Sequence, residues 1–131
     1  MIGLDTNIFV RYFVKDDPDQ TRLAVELVHS LSPSEPGWVG QAAILELVWA
    51  VTRIYRIDKA EVIRILDTLL ASRDLVVEFD DTVRTAVRLY RKGNADFADC
   101  LIGASARAAG CNRTVTFDWR AARDAGMQLL G

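Results

Sequence analysis

The chain opens with MIGLDTNIFVRYF, residues 1–13, in which two kinds of apolar spacing follow one another. MIGLD is typical of a short strand, whereas TNIFVRYF places its large apolar side chains at the spacing of one helix face. The stretch therefore predicts a strand that leads directly into a helix, with Asp5 between the two.

The same alternation continues along the chain. Further strands are predicted at 38–40, 75–79, 114–117 and 127–130. Helices are predicted at 17–31, 41–55, 58–72, 81–92 and 96–110, with a short helical turn from Trp119. The helix at 41–55 is apolar almost all round, so we expect it to be buried. The pattern predicts an α/β sandwich with a mainly parallel sheet, in one domain over residues 1–131.

Composition and charge exclude several classes of protein. With 131 residues, of which 50% are hydrophobic, the chain is long enough to bury its own core. A net charge of −2 and a pI near 5.3 provide no general field that attracts nucleic acid, so such binding needs local patches. No apolar run could span a membrane, and Asp5 and Arg11 interrupt any secretory leader, so we expect a cytoplasmic protein. Cys100 and Cys111 lie roughly 16 Å apart on one predicted helix and should stay reduced.

Three acidic residues stand at positions that an ordinary structural role explains only in part. Glu46 is the only charged residue between Gln41 and Arg53, and a lone buried carboxylate is costly unless it is compensated. Arg53 is the alternative partner, although it lies beyond the favourable helical spacing. Asp5 and Asp118 follow predicted strands, where open parallel sheets place functional residues, and each is equally explained as a helix cap.

Two more acids begin the predicted helix at 96–110. Asp96 fits a helix cap, and Asp99 shares its face with small and apolar residues, an unusual setting for a merely solvated acid. The run CLI at 100–102 after it is expected to be buried. Clustered carboxylates repel one another unless they are protonated or hold a multivalent cation, and an oxygen-only set suits Mg²⁺ or Mn²⁺ better than zinc.

Four segments resemble the PIN-domain ribonucleases and, within them, the VapC-type toxins of prokaryotic toxin–antitoxin pairs. They are LDTNIFVRYF at 4–13, AILELVWAV at 43–51, DFADCLIGASARAAG at 96–110 and TVTFD at 114–118. The resemblance implies a parallel sheet of four or five strands between helices, with a Mg²⁺ or Mn²⁺ site. The residues implied are Asp5, Glu46, Asp99 and usually Asp118 as ligands, Asp96 as an accessory, and Thr6, Asn7 and Thr116 as orienting neighbours. Cys100 stands where the family more often has alanine.

The activity implied is endonucleolytic hydrolysis of RNA by water that a metal ion activates. Cleavage by a pair of histidines is excluded, because His29 is the only histidine. Since an acidic pocket repels RNA, Arg11 and Lys15 are expected to hold the backbone. The basic run on the helix at 81–92 is a second candidate, which an ordinary solvated face also explains. The resemblance further implies a cognate antitoxin protein and a homodimer.

Two other functions stay open. A catalytically inactive PIN-like module would bind RNA or protein without turnover, although the complete set of acids argues against it. A phosphatase that forms an aspartyl-phosphate also has an aspartate after its first strand, but its D-x-D pattern would need an acid where Asn7 stands.

Overall fold

The opening strand and helix form as predicted: β1 covers Ile2–Gly3 and α1 covers Thr6–Val14. The computed structural model describes residues 1–131, and the contacts along the chain divide it into unit 1, Met1–Glu78, and unit 2, Phe79–Gly131. That residues 1–131 act as one domain stays a prediction.

Unit 1 contains a three-stranded parallel sheet in the order β1-β2-β3. After α1 its elements are α2 (Pro18–Ser30), β2 (Gly37–Val39), α3 (Gln41–Arg53), α4 (Lys59–Ala71) and β3 (Leu75–Val77). Gly37 pairs with Ile2 on one side and with Leu75 on the other. The strands therefore end at a common edge, from which α1 and α3 both begin.

The α3 helix is buried on one side only. Its fully buried side chains include Ile44, Leu47 and Val51, whereas the exposed ones recur at helical spacing at Ala42, Glu46, Trp49 and Arg53. The prediction of a helix buried all round is therefore wrong. Alanine and tryptophan count as apolar in a sequence pattern whichever way they face, so the pattern concealed the exposed side.

Unit 2 contains two long helices and a two-stranded parallel sheet. Its elements are α5 (Asp80–Lys92), α6 (Phe97–Ala108), β4 (Val115–Thr116), α7 (Trp119–Asp124) and β5 (Gln128–Leu129). The packing of α5 on α6 includes an edge-to-face contact of Tyr90 with Phe97, whose ring centroids are 5.7 Å apart. Beyond the end of α6, Gly110 has a φ of 94°, a conformation that glycine adopts without strain.

The structure confirms an α/β fold with parallel strands but corrects two details. The five strands form separate sheets of three and two, not one sheet of four or five, because strands of two or three residues offer few ladder hydrogen bonds to a neighbour. Ile102, expected to be buried, is 52% exposed, although Cys100 and Leu101 are buried.

Both cysteines are free thiols. None of the helices has the length and apolar character of a membrane span.

Candidate active site

Asp5 lies between the end of β1 and the start of α1. Its backbone is extended, and its Oδ1 accepts a hydrogen bond from the N–H of Thr6 at 2.7 Å. The side chain is exposed, so the carboxylate caps the helix and still presents oxygen to solvent.

Glu46 is positioned by a residue far away in the sequence. The Thr6 hydroxyl donates to Glu46 Oε1 at 2.5 Å, across 40 positions of the chain. Glu46 is exposed rather than buried, so the expected cost of a buried lone carboxylate does not arise. Its partner is Thr6, not Arg53. Through its amide and its hydroxyl, Thr6 brings Asp5 and Glu46 to one place.

A cavity of about 330 Å³ adjoins this acid pair in unit 1. Asp5, Thr6, Asn7 and Glu46 line one part of it. The rest of its lining comes from Val10, Arg11, Trp49, Ala50, Ile54 and Tyr55. The predicted site residues of unit 1 therefore share a concave surface that a substrate can enter.

Unit 2 holds the other three predicted acids. Asp96 is the residue before α6, and Asp99 lies in the first turn of that helix, half-buried. Burial, followed by the negative charges of Asp96 and Asp118, raises the pKa of Asp99 above its ordinary value. These carboxylates are therefore near enough to act on one another.

Asp118 begins α7 and combines two roles. Its Oδ1 accepts hydrogen bonds from the N–H groups of Arg120 at 2.8 Å and Ala121 at 3.3 Å. The Asp118 N–H in turn donates to Thr116 Oγ1 at 3.0 Å. The side chain is thus held in one orientation, with Thr116 fixing the backbone on which it stands.

Comparison with known proteins identifies the family to which this chain is related. A family model described as "PIN domain" matches residues 2–126. The chain belongs to the PIN domain family. It is also similar to the VapC ribonuclease of Aquifex aeolicus (strain VF5), with 26% identity over 118 residues that cover 89% of this chain and 87% of that protein. The family predicted from the sequence is confirmed.

The predicted residues of this PIN domain fall into two groups. Unit 1 holds Asp5, Thr6, Asn7 and Glu46, and unit 2 holds Asp96, Asp99, Thr116 and Asp118. No group of three or more His, Cys, Asp or Glu side chains is arranged to hold a metal ion, so the complete ligand set stays a prediction. Its chemistry nevertheless fits a hard divalent cation, since every donor is an oxygen and the Asp99 carboxyl is hindered from ionising by burial and by its acidic neighbours.

The cations predicted to hold RNA differ in their surroundings. Arg11 is held in place: its Nε donates to Gln20 at 2.6 Å, and its Nη1 donates to Asp16 at 3.0 Å and to Tyr55 at 3.3 Å. Lys15 lies over the Tyr12 ring, 5.4 Å from its centroid. Part of the Arg11 charge is thus balanced by Asp16, and an RNA role for either cation stays a prediction.

Sequence reasoning missed Trp49 and Tyr55 as lining of the cavity. Trp49 could have been found, because it follows Glu46 by three positions and so shares its helix face. Tyr55 gave no such signal, since it lies beyond the end of α3 and reaches the site through its contact with Arg11.

Proposed function

We propose that this PIN domain is a divalent-metal-dependent endoribonuclease and the toxin of a type II toxin–antitoxin system. The proposal is supported by the family match over residues 2–126 and by a similar protein whose name is VapC ribonuclease. The observation that carries it is the placement of the acids, which occupy exposed or half-buried positions at helix starts and beside a cavity.

Asp5, Glu46, Asp99 and Asp118 would hold Mg²⁺ or Mn²⁺, with Asp96 as an accessory. When bound, such an ion supplies a nucleophile at neutral pH and stabilises negative charge on the phosphate. Hydrolysis by water would leave products with 5′-phosphate and 3′-hydroxyl ends.

The chain's own residues have defined tasks in this proposal. Thr6 keeps Glu46 in one rotamer through their hydrogen bond, and Thr116 steadies the backbone of Asp118. The half-buried position of Asp99 excludes part of the surrounding water, which strengthens its interaction with any cation nearby.

The partners in this proposal are an RNA substrate, a cognate antitoxin protein and a second copy of the chain in a homodimer, all in the cytoplasm. The RNA and the antitoxin are supported by the name of the similar protein. The homodimer rests on the family resemblance alone.

The decisive experiment maps RNA cleavage products for the wild type and for Asp5→Asn, in Mg²⁺, in Mn²⁺ and in chelator. The amide oxygen of the replacement would still accept the helix-capping hydrogen bond but would carry no charge, so we expect a folded variant without cleavage. Asp17→Asn is the matched control, because Asp17 caps α2 in the same unit by accepting from Gln20 N–H at 3.0 Å.

Equal cleavage by wild type and Asp5→Asn, or full cleavage in chelator, would contradict the proposal. RNA binding without any turnover by the wild type would instead favour the inactive binding module. Products with 2′,3′-cyclic phosphate ends would exclude attack by water.

A further inference from the structure

The cavity beside Asp5 and Glu46 has an aromatic wall that the proposed hydrolysis does not use. Trp49 is 57% exposed and the adjacent Ile54 is 59% exposed, although Leu47 and Val51 of the same helix are almost completely buried. Leaving an indole in water forgoes the free energy that its burial would provide. The Trp49 ring therefore contributes little to the core of unit 1 and is open to a ligand.

The position of Trp49 relative to the acids follows from helix geometry. It lies three residues after Glu46, so the two side chains project from the same face of α3, and both line the cavity with Asp5. A group stacked on Trp49 would therefore lie next to the acid pair.

Polar groups other than the acids also line the cavity. Arg11 is fixed there by Gln20, Asp16 and Tyr55. Its hydrogen bond to the Tyr55 hydroxyl is the main cause that raises the pKa of Arg11, and an arginine side chain is in any case always charged in proteins. The Tyr55 hydroxyl accepts from Arg11 and keeps its own proton for another acceptor.

These features suit one flat, polar-edged group better than a segment of protein. The volume of about 330 Å³ is at the lower end of small-molecule sites, whereas an α-helix with its side chains is roughly 10–12 Å wide. A nucleobase offers a planar face for Trp49 and hydrogen-bonding edges for Tyr55 and Asn7.

We propose that the cavity of unit 1 is a nucleobase subsite, in which an unstacked base of single-stranded RNA lies against Trp49 next to the phosphate to be cleaved. The inference rests on the proposed ribonuclease function and adds to it a base-binding residue, Trp49, beside the acid pair. Arg11 would face the phosphate backbone beside the subsite.

The test compares Trp49→Ala, Trp49→Phe and Leu23→Ala in binding a fluorescein-labelled oligoadenylate in chelator, where no metal-dependent cleavage occurs. Leu23 is the matched control, because it is 55% exposed in the same unit but does not line this cavity. We expect Trp49→Ala to weaken binding about tenfold, as the loss of one base–aromatic stack does. Trp49→Phe should restore most of the affinity, and Leu23→Ala should match the wild type.

A second arm uses an abasic oligomer of the same length. The wild type should bind it about as weakly as Trp49→Ala binds oligoadenylate, and Trp49→Ala should cause no further loss. In cleavage assays the Trp49→Ala change should raise KM with a smaller effect on kcat.

Three outcomes would overturn the subsite. A folded Trp49→Ala variant could bind oligoadenylate as tightly as the wild type, or it could lose as much affinity for the abasic oligomer as for oligoadenylate. It could also lose binding to a protein partner while its RNA binding stays intact. The two proposals fail separately. If the wild type does not cleave RNA in Mn²⁺ but Trp49→Ala still loses oligoadenylate affinity, the hydrolase proposal fails and the subsite stands.

Discussion

Asp99 shows how a single residue is held away from its most stable state. Its carboxyl is half-buried, and the neighbouring Asp96 and Asp118 carboxylates add repulsion to the cost of burial. A protein selected for stability alone would place an uncharged residue here. In the proposed enzyme the same repulsion is the reason for a cation to bind.

The raised pKa of Asp99 predicts how stability depends on pH. The folded state holds this proton more tightly than the unfolded state, so stability falls as the pH rises through the unfolded value, about 3.9, toward the folded one. Above the pKa that Asp99 has in the folded state, its ionised carboxylate destabilises the fold by the full amount. We expect Asp99→Asn to melt at a higher temperature than the wild type at pH 7 in chelator, with the difference shrinking toward pH 3.

Asp81→Asn is the control for this melting experiment. Asp81 also lies in the first turn of a helix of unit 2 but is exposed. Its replacement should lower the melting temperature slightly or leave it unchanged, because it loses only a favourable helix-dipole interaction. An Asp99→Asn variant that is less stable than the wild type at pH 7 would refute the account.

At the level of elements, two of the predicted site acids differ from ordinary capping acids in the hydrogen bonds they accept. Asp17 and Asp58 accept from the N–H three residues later, as dedicated caps do. Asp5 accepts only from the next residue, and Asp96 makes no side-chain cap hydrogen bond. Three of the predicted site acids, Asp5, Asp96 and Asp118, thus occupy cap positions, and Asp5 and Asp96 leave the usual cap hydrogen bond unmade.

Asp118 is the predicted site acid that still caps its helix fully, which allows its capping role and its proposed ligand role to be separated. Asp118→Ala removes both hydrogen bonds to the start of α7 and should cost about 1 kcal/mol of unfolding free energy, measured in urea. Asp118→Asn should retain most of that stability, because the amide oxygen can still accept. Both variants should lose RNA cleavage, and an active Asp118→Asn variant would remove Asp118 from the ligand set.

The packing of α6 depends on the absence of a side chain at Gly103. A Cβ there would lie 2.8 Å from the carbonyl oxygen of Ala125, a backbone atom that has little room to move. Gly103→Ala should therefore lower the free energy of unfolding by roughly 1–3 kcal/mol, despite the better helix propensity of alanine. Gly3→Ala is the control, since nothing lies within 4 Å of its added Cβ. A Gly103→Ala variant as stable as the control would show that α6 can shift.

At the scale of the whole molecule, the proposed ligands are divided between the two units. Asp5 and Glu46 belong to unit 1, and Asp96, Asp99 and Asp118 belong to unit 2. A cation that binds only the folded state would stabilise the chain against unfolding.

The proposed ligand set predicts the effect of metal on thermal stability. At a Mn²⁺ concentration of about 100 Kd, binding to the folded state alone increases the free energy of unfolding by about 2.7 kcal/mol. This increase corresponds to a rise in melting temperature on the order of 10 °C. Asp5→Asn and Asp99→Asn should each abolish most of that rise, measured against chelator. A full rise in either variant would remove that residue from the proposed ligand set.

The sequence alone predicts four features of this protein: the order of strands and helices, the parallel direction of the strands, the acids at helix starts and membership of the PIN domain family. These features depend on local periodicity, on capping chemistry and on motifs within short segments, which do not need the rest of the chain. Three features were not predicted from the sequence: the hydrogen bond from Thr6 to Glu46, the exposure of Glu46, Trp49 and Ile102, and the division of the strands into two sheets. They depend on which faces pack together when distant segments of the chain meet. The sequence gives the chemical type of a side chain, but only the tertiary structure decides whether that side chain packs against a neighbour or faces solvent.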